Sequence, residues 1–198
     1  MSCASSHASP LPPTRWSGDL IQVVAETARL VLRELADADV EAIQAYASDP
    51  AVVEFLPWGP NTEDDTRRFL SAVMVGRAAR PRRQWDLAMV LRREPRLVGG
   101  CRLHVTDEIA GEADLGYALA RGYWGQGLAS EAARALVEFA FTRLGARRVW
   151  AICEPANPAS ARVLEKAGLR RERFLRAHRF MKGRWRDSYV YACDSPRR

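Results

Sequence analysis

The sequence predicts a mixed α/β domain built on a central sheet. Three observations carry that expectation. Short β-type runs recur along the chain, each bounded by turn residues. Helical patterns with start and stop signals alternate with them. The stretch from Asp114 to Cys153 reads strand, long helix, strand, which a right-handed parallel crossover satisfies.

In chain order, "ARLVLREL" (28–35) alternates Leu30 and Leu32 with polar partners and reads as a strand. "DADVEAIQAYASDP" follows as a helix, with Asp37 or Asp39 as cap and Pro50 beyond its end. Thr62 with Asp65 three residues on is a capping-box pattern that opens a second helix. "QWDLAMVL" and "RLVGGCRLHV" are strands joined by "RREP", a hairpin signal. "EADLGYALA" is another strand, and "LASEAARALVEFAFTRL" is the clearest helix, stopping at Gly145. "RRVWAICE" is a strand. In "NPASARVLEKAG", Asn157 stands at the N-cap, Pro158 at the first helical position and Gly168 just past the end. Strand-like runs near Phe174 and from Trp185 to Ala192 close the chain.

A chain of 198 residues suffices for one domain with a substantial core. The Ser/Pro-rich residues 1–22 are expected to be a disordered tail, and 23–198 a single domain. The start lacks a signal-peptide pattern and no window matches a membrane span, so a cytoplasmic protein without a membrane partner is expected. The four cysteines are scattered, as for reduced thiols, and three distant histidines make no ligand pattern, so no metal is expected. The net charge of +6 is unevenly spread. Residues 1–70 hold 5 basic and 11 acidic side chains, and residues 71–198 hold 25 and 13. The first part suits a cationic ligand and the second an anionic one, unless both are simply solvated faces.

Gly125-Gln126-Gly127-Leu128-Ala129-Ser130 sits where a strand ends and a helix begins. The first N–H groups of a helix have no intrahelical partner and lie at the positive end of its dipole, and glycine lets a phosphate approach them. The stretch is therefore a candidate phosphate cradle, or else a tight turn without ligand. The dinucleotide pattern GxGxxG fails at Ser130, and the Walker pattern is absent.

"YWGQGLASEAARALVEFAF", "EPANPASARVLEKAGL" and "MKGRWRDSYVYA", in this order, resemble the GNAT superfamily of acyl-CoA-dependent N-acetyltransferases. Within it they resemble the ribosomal-protein-alanine N-acetyltransferase branch. The likeness spans about residues 27–192. It implies a mostly antiparallel twisted sheet of about seven strands flanked by about four helices, with two central parallel strands splayed apart. The family's pyrophosphate motif falls on Trp124, Gly125, Gln126, Gly127, Leu128 and Ala129, and Trp124 departs from the usual Gln or Arg. The resemblance implies acetyl-CoA as cosubstrate, its pantetheine arm lying against the backbone of Tyr117, Ala118 and Leu119, and Asn157 touching it. Arg162 and Lys166, one turn apart, face either the coenzyme phosphates or solvent.

The implied chemistry is direct acetyl transfer to a primary amine: a peptide or protein N-terminus, ribosomal proteins included, or a small molecule. Relatives place a tyrosine acid where this chain has Leu164, so the resemblance moves that role to Ser160. Asp114 matches a carboxylate base in some relatives, with Glu112 or a water relay as alternatives. Glu54 and Trp58 in the acidic first third are candidate acceptor contacts, helped by Glu63, Asp64 and Asp65. A GNAT-like acyl-CoA-binding module without turnover, or a ribosome- or RNA-associated protein, is the competing expectation, although no specific nucleic-acid motif is present. Monomer and homodimer are both compatible with the sequence.

Overall fold

The computed structural model describes residues 14–16 and 19–196. Of the expected tail, residues 1–13, 17 and 18 lie outside the described residues. Within it, β1 (Thr14–Trp16) and β2 (Asp19–Ile21) pair as a separate antiparallel ribbon.

Eight strands form one sheet: β3 (Val23–Glu26), β4 (Leu30–Glu34), β5 (Gln84–Leu91), β6 (Leu97–Asp107), β7 (Glu112–Leu119), β8 (Arg148–Cys153), β9 (Arg170–Met181) and β10 (Arg184–Asp194). Their spatial order is β3-β4-β5-β6-β7-β8-β10-β9. Every neighbouring pair is antiparallel except β7 and β8, which the long helix joins as expected.

Both faces of the sheet are covered by helices. α4 (Leu128–Arg143) and α5 (Pro158–Lys166) pack on one side, where Leu30, Leu32, Leu87, Met89, Leu103, Leu136 and Leu164 are fully buried. Each such side chain contributes about 1.5–3 kcal/mol relative to exposure. α1 (Val40–Ala47) and α3 (Glu63–Ala78) cover the other side through Ile43, Tyr46, Leu70 and Val73, which meet Ala88 and Val90. Period two therefore splits β5, with Leu87 and Met89 facing one helix layer and Ala88 and Val90 the other.

Local signals explain most boundaries. Thr62 and Asp65 form the expected capping box of α3, and Asn157 Oδ1 accepts from the Ser160 amide at 3.0 Å as the cap of α5. Asp39 stands at the N-cap of α1, at the end of a short 3₁₀ turn (Asp37–Asp39), but its side chain caps no α1 amide: it takes a two-point ion pair from buried Arg33 at 2.7 Å. Pro50 starts a further helix, α2 (Pro50–Val53), capped by Asp49 accepting from the Ala51 amide at 3.0 Å.

Candidate active site

The parallel pairing of β7 with β8 ends at Asp114 and Trp150. Beyond that point β7 pairs only with β6 and β8 only with β10. The strands part there, and a cleft of about 630 Å³ opens between Leu115–Leu119 on one wall and Ala151–Cys153 on the other. The start of α4, the first turns of α5 and the α2 segment complete it. Its volume falls within the usual range for a small-molecule site.

The Gly-Gln-Gly junction forms one end. Gly125 and Gly127 have φ of +75° and +78°, a left-handed conformation that glycine adopts without a Cβ penalty. A Cβ on Gly125 would meet nothing within 4 Å, and one on Gly127 only an Arg29 guanidinium nitrogen at 3.5 Å. Gly127 is the N-cap of α4 and supplies no side chain, so the amides of Leu128, Ala129 and Ser130 have no protein cap among the described residues. These amides face an open cleft at the positive end of a sixteen-residue helix, the arrangement that receives a phosphate. Arg29 fixes the loop from behind: Nη1 donates to the Gln126 carbonyl at 2.8 Å and Nε to Glu131 at 2.7 Å. Burial works against the Glu131 charge, but hydrogen bonds from Thr27 and Arg29 outweigh it and hold this carboxyl below its usual range. The Trp124 indole donates to the Leu119 carbonyl at 2.7 Å and ties the loop to the end of β7.

At the α5 end, the hydroxyls of Tyr117 and Ser160 are 2.9 Å apart, and the Tyr117 hydroxyl donates to the Ser160 carbonyl at 3.1 Å. Burial pushes the Tyr117 phenol far above its usual range, only partly offset by the Ser160 hydrogen bond. Cys153 lies beside them, its thiol also pushed up by burial. Leu164 is fully buried in the core and offers no hydroxyl.

Among the sequence candidates, Glu54, Tyr117, Ala118, Leu119, Trp124, Gly125, Gly127, Leu128, Ala129, Ser130, Asn157, Ser160 and Arg162 line the cleft, as does Lys166. The other candidates do not. Gln126 turns its amide to the Gly122 carbonyl at 3.2 Å. Trp58 stands 39% exposed, outside the lining. Asp114 is on the sheet face away from the α4 layer, where Arg102 binds one carboxylate oxygen and His104 Nδ1 lies 3.0 Å from the other. Glu112 sits 3.9 Å from Arg148. Asp114 is therefore held by neighbouring basic groups, and Glu112 likewise lies outside the cleft lining. Glu63, Asp64 and Asp65 occupy the first turn of α3, where Glu63 pairs with Arg67. Hydrogen bonds from Thr62, with Arg68 beside it, bring Asp65 down to about 2.

Two groups escaped the sequence reading. The Tyr117 hydroxyl reaches Ser160 from another element, a pairing that only the strand–helix packing creates. Glu154 lines the cleft and pairs with Arg186 at 2.8 Å, 32 residues away. Among the described residues no group of three or more acidic, Cys or His side chains suits a metal ion, and no helix is long and apolar enough to cross a membrane.

The acetyltransferase (GNAT) domain family matches residues 29–170. YnaD of Bacillus subtilis, an uncharacterised N-acetyltransferase, is 33% identical over 84% of this chain and 94% of its own length. A GNAT-family acetyltransferase from Bacillus anthracis superposes with a TM-score of 0.76 at 32% identity, covering 85% of this chain and 96% of that one. RimJ of Mycobacterium smegmatis, solved in complex with CoA-disulfide, gives a TM-score of 0.74 at 25% identity over 88% of this chain and 85% of its own. The uncapped helix start beside two splayed parallel strands is thus found in a matching sequence, and the chain belongs to the GNAT family of N-acetyltransferases.

Proposed function

We propose that this enzyme moves the acetyl group of acetyl-CoA directly onto a primary amine bound in the same cleft. The observation that carries the reading is the continuity of the cleft from the bare α4 amides to the Tyr117–Ser160 pair. The amides of Leu128, Ala129 and Ser130 suit the pyrophosphate, with Arg162 and Lys166 on the same wall. On the side facing β8, the backbone of Leu115–Leu119 has no strand partner and is available to an extended pantetheine arm, as an added strand would use it.

In the transfer, the amine nitrogen attacks the thioester carbonyl, a C–N bond forms and the C–S bond breaks. The sulfur leaves as thiolate and takes a proton, while the amine gives one up. Ser160 sits in the first turn of α5, where the helix dipole and its hydroxyl both favour developing negative charge. Tyr117, kept protonated by burial, backs that hydroxyl. The acceptor is a peptide or protein N-terminus or a small-molecule amine, and Glu54 in the cleft lining offers it a carboxylate. The test is mass spectrometry of acetylated products after incubation with acetyl-CoA and a cell extract. A new +42 Da product that depends on the enzyme supports the transfer. Tight acetyl-CoA binding without any acetylated amine would leave only a binding module.

A further inference from the structure

Glu154 is a polar group of the cleft that the roles above leave unused. Glu154 follows β8 directly, and its side chain is only 10% exposed. One carboxylate oxygen, Oε2, accepts from Arg186 Nη1 at 2.8 Å, and the Arg186 side chain is 9% exposed. The other, Oε1, is buried and has no hydrogen-bond partner among the described residues. A buried carboxylate oxygen without a donor is costly and rare in folded proteins. Glu154 lines the substrate cleft, so a small turn of its side chain on binding brings Oε1 to a ligand N–H that removes that cost.

The neighbours place Glu154 beside the α2 segment. Lys182, in the turn between β9 and β10, donates to the Val53 carbonyl at the end of α2 at 2.6 Å. The same lysine feels the charges of Arg186, Glu154 and Glu54. Glu154 and Glu54 both line the cleft there.

Resting on the transferase reading, we propose that Glu154 positions the acceptor, its Oε1 receiving an N–H of the attacking primary amine. Arg186 explains why a carboxylate suits this task. An isolated buried carboxylate would hold the acceptor as an ammonium, which has no lone pair for attack. Paired with Arg186, the carboxylate carries little unbalanced charge and still accepts a hydrogen bond. One N–H is then fixed, and the nitrogen lone pair is left for the thioester carbon. The pair therefore selects a group that can donate an N–H and still attack, which is an unacylated amine.

Glu154→Gln tests this. The amide keeps the side-chain shape, and its oxygen can keep the Arg186 bond, but an NH₂ then replaces Oε1. Steady-state kinetics would use a tripeptide with a free N-terminus, spermidine and kanamycin as acceptors, with acetyl-CoA affinity measured by calorimetry. The acceptor KM should rise at least about tenfold for each amine the wild type uses, since one charge-assisted hydrogen bond is lost. Acetyl-CoA affinity should stay within about twofold, because the contact removed is to the acceptor amine and not to the coenzyme. An unchanged acceptor KM in a variant that binds acetyl-CoA overturns the proposal. If Glu154→Gln fails to bind acetyl-CoA, Glu154→Asp decides. It keeps the charge but withdraws the carboxylate by one methylene, so a wild-type acceptor KM there overturns the positioning role. A wild-type enzyme that binds acetyl-CoA and acetylates no amine in the panel or in a cell extract overturns the transferase reading, and this assignment with it.

Discussion

The side-chain oxygens of Tyr117 and Ser160 lie 2.9 Å apart, bridging β7 and α5 inside the cleft. The tyrosine comes from the strand, where period two points it at the helix layer, and the serine from the first turn of α5. In the proposed transfer, the hydroxyl pair takes the role that the leucine at position 164 cannot fill. Ser160→Ala should lower kcat about tenfold to a thousandfold with acetyl-CoA affinity nearly intact, as expected for a group acting mainly in the transition state. Tyr117→Phe should cost less, about threefold to thirtyfold, because it acts through Ser160. The double variant should lose less than the product of the two, since directly bonded groups are coupled. Single-turnover rates across the four proteins check this, and strictly multiplicative losses would separate the two hydroxyls.

Gly127 combines a left-handed backbone with an open approach to the cleft. Gly127→Val should therefore weaken acetyl-CoA at least tenfold, about 1.4 kcal/mol, and also lower Tm because valine resists positive φ. Gly127→Asn tolerates that φ better, so it should lose affinity with a smaller fall in Tm. Calorimetry and thermal melts on both variants separate blocked binding from backbone strain. Unchanged affinity in the folded asparagine variant would remove these amides from the coenzyme site.

Much of this arrangement was legible in the sequence, and the reason differs by element. Capping residues are local, so Thr62, Asp65, Asn157 and Pro158 announced their helices. Glycines at a strand-to-helix junction announced a left-handed turn and a helix start without a side-chain cap. The Asp37–Asp39 segment misled because its carboxylate is claimed by Arg33 in the neighbouring strand, a tertiary partner that no local pattern reveals. Strand β3 was missed because it is a four-residue edge strand with a register shift, too short to show alternation. Asp114 looked available for catalysis because spacing gives the face of a strand but not what occupies that face. The Glu154–Arg186 pair joins residues 32 apart through β8 and β10, so only the register of those strands exposes it.

Stability should fall at alkaline pH. Burial raises Tyr46, Cys101 and Tyr117 well above their ordinary values of 10.0, 9.0 and 10.0, and half-buried Cys193 from 9.0 to about 11. In each case the folded state keeps a proton that the unfolded chain loses. The contribution is thus complete below the unfolded value and is lost as pH climbs from about 9 toward the folded one. Each buried group then costs about 1.4 kcal/mol per pH unit. Urea midpoints should be level between pH 7 and 8.5 and decline steadily by pH 10.5. Cys101→Ala, with one titrating group fewer, should show a shallower decline, and a parallel slope would remove Cys101 from the account.

Asp114 is the residue whose variant separates a structural carboxylate from a catalytic base. It is 8% exposed, and Arg102 and His104 engage both its oxygens on a sheet face outside the cleft lining. Arg102 is 43% exposed, so solvent screens that pair and its worth is about 1 kcal/mol. Asp114→Asn should therefore lower stability by about that amount, because the amide can retain one of the two contacts. With Asp114 outside the cleft lining, the variant should leave the acid limb of kcat/KM where it is in the wild type. The pH profile is best measured with acetyl-CoA saturating and the acceptor well below its KM. Under those conditions the acid limb reports groups of the enzyme–acetyl-CoA complex and of the free amine. A limb that flattens in Asp114→Asn would make Asp114 the base despite its partners. A preserved limb leaves proton removal to water.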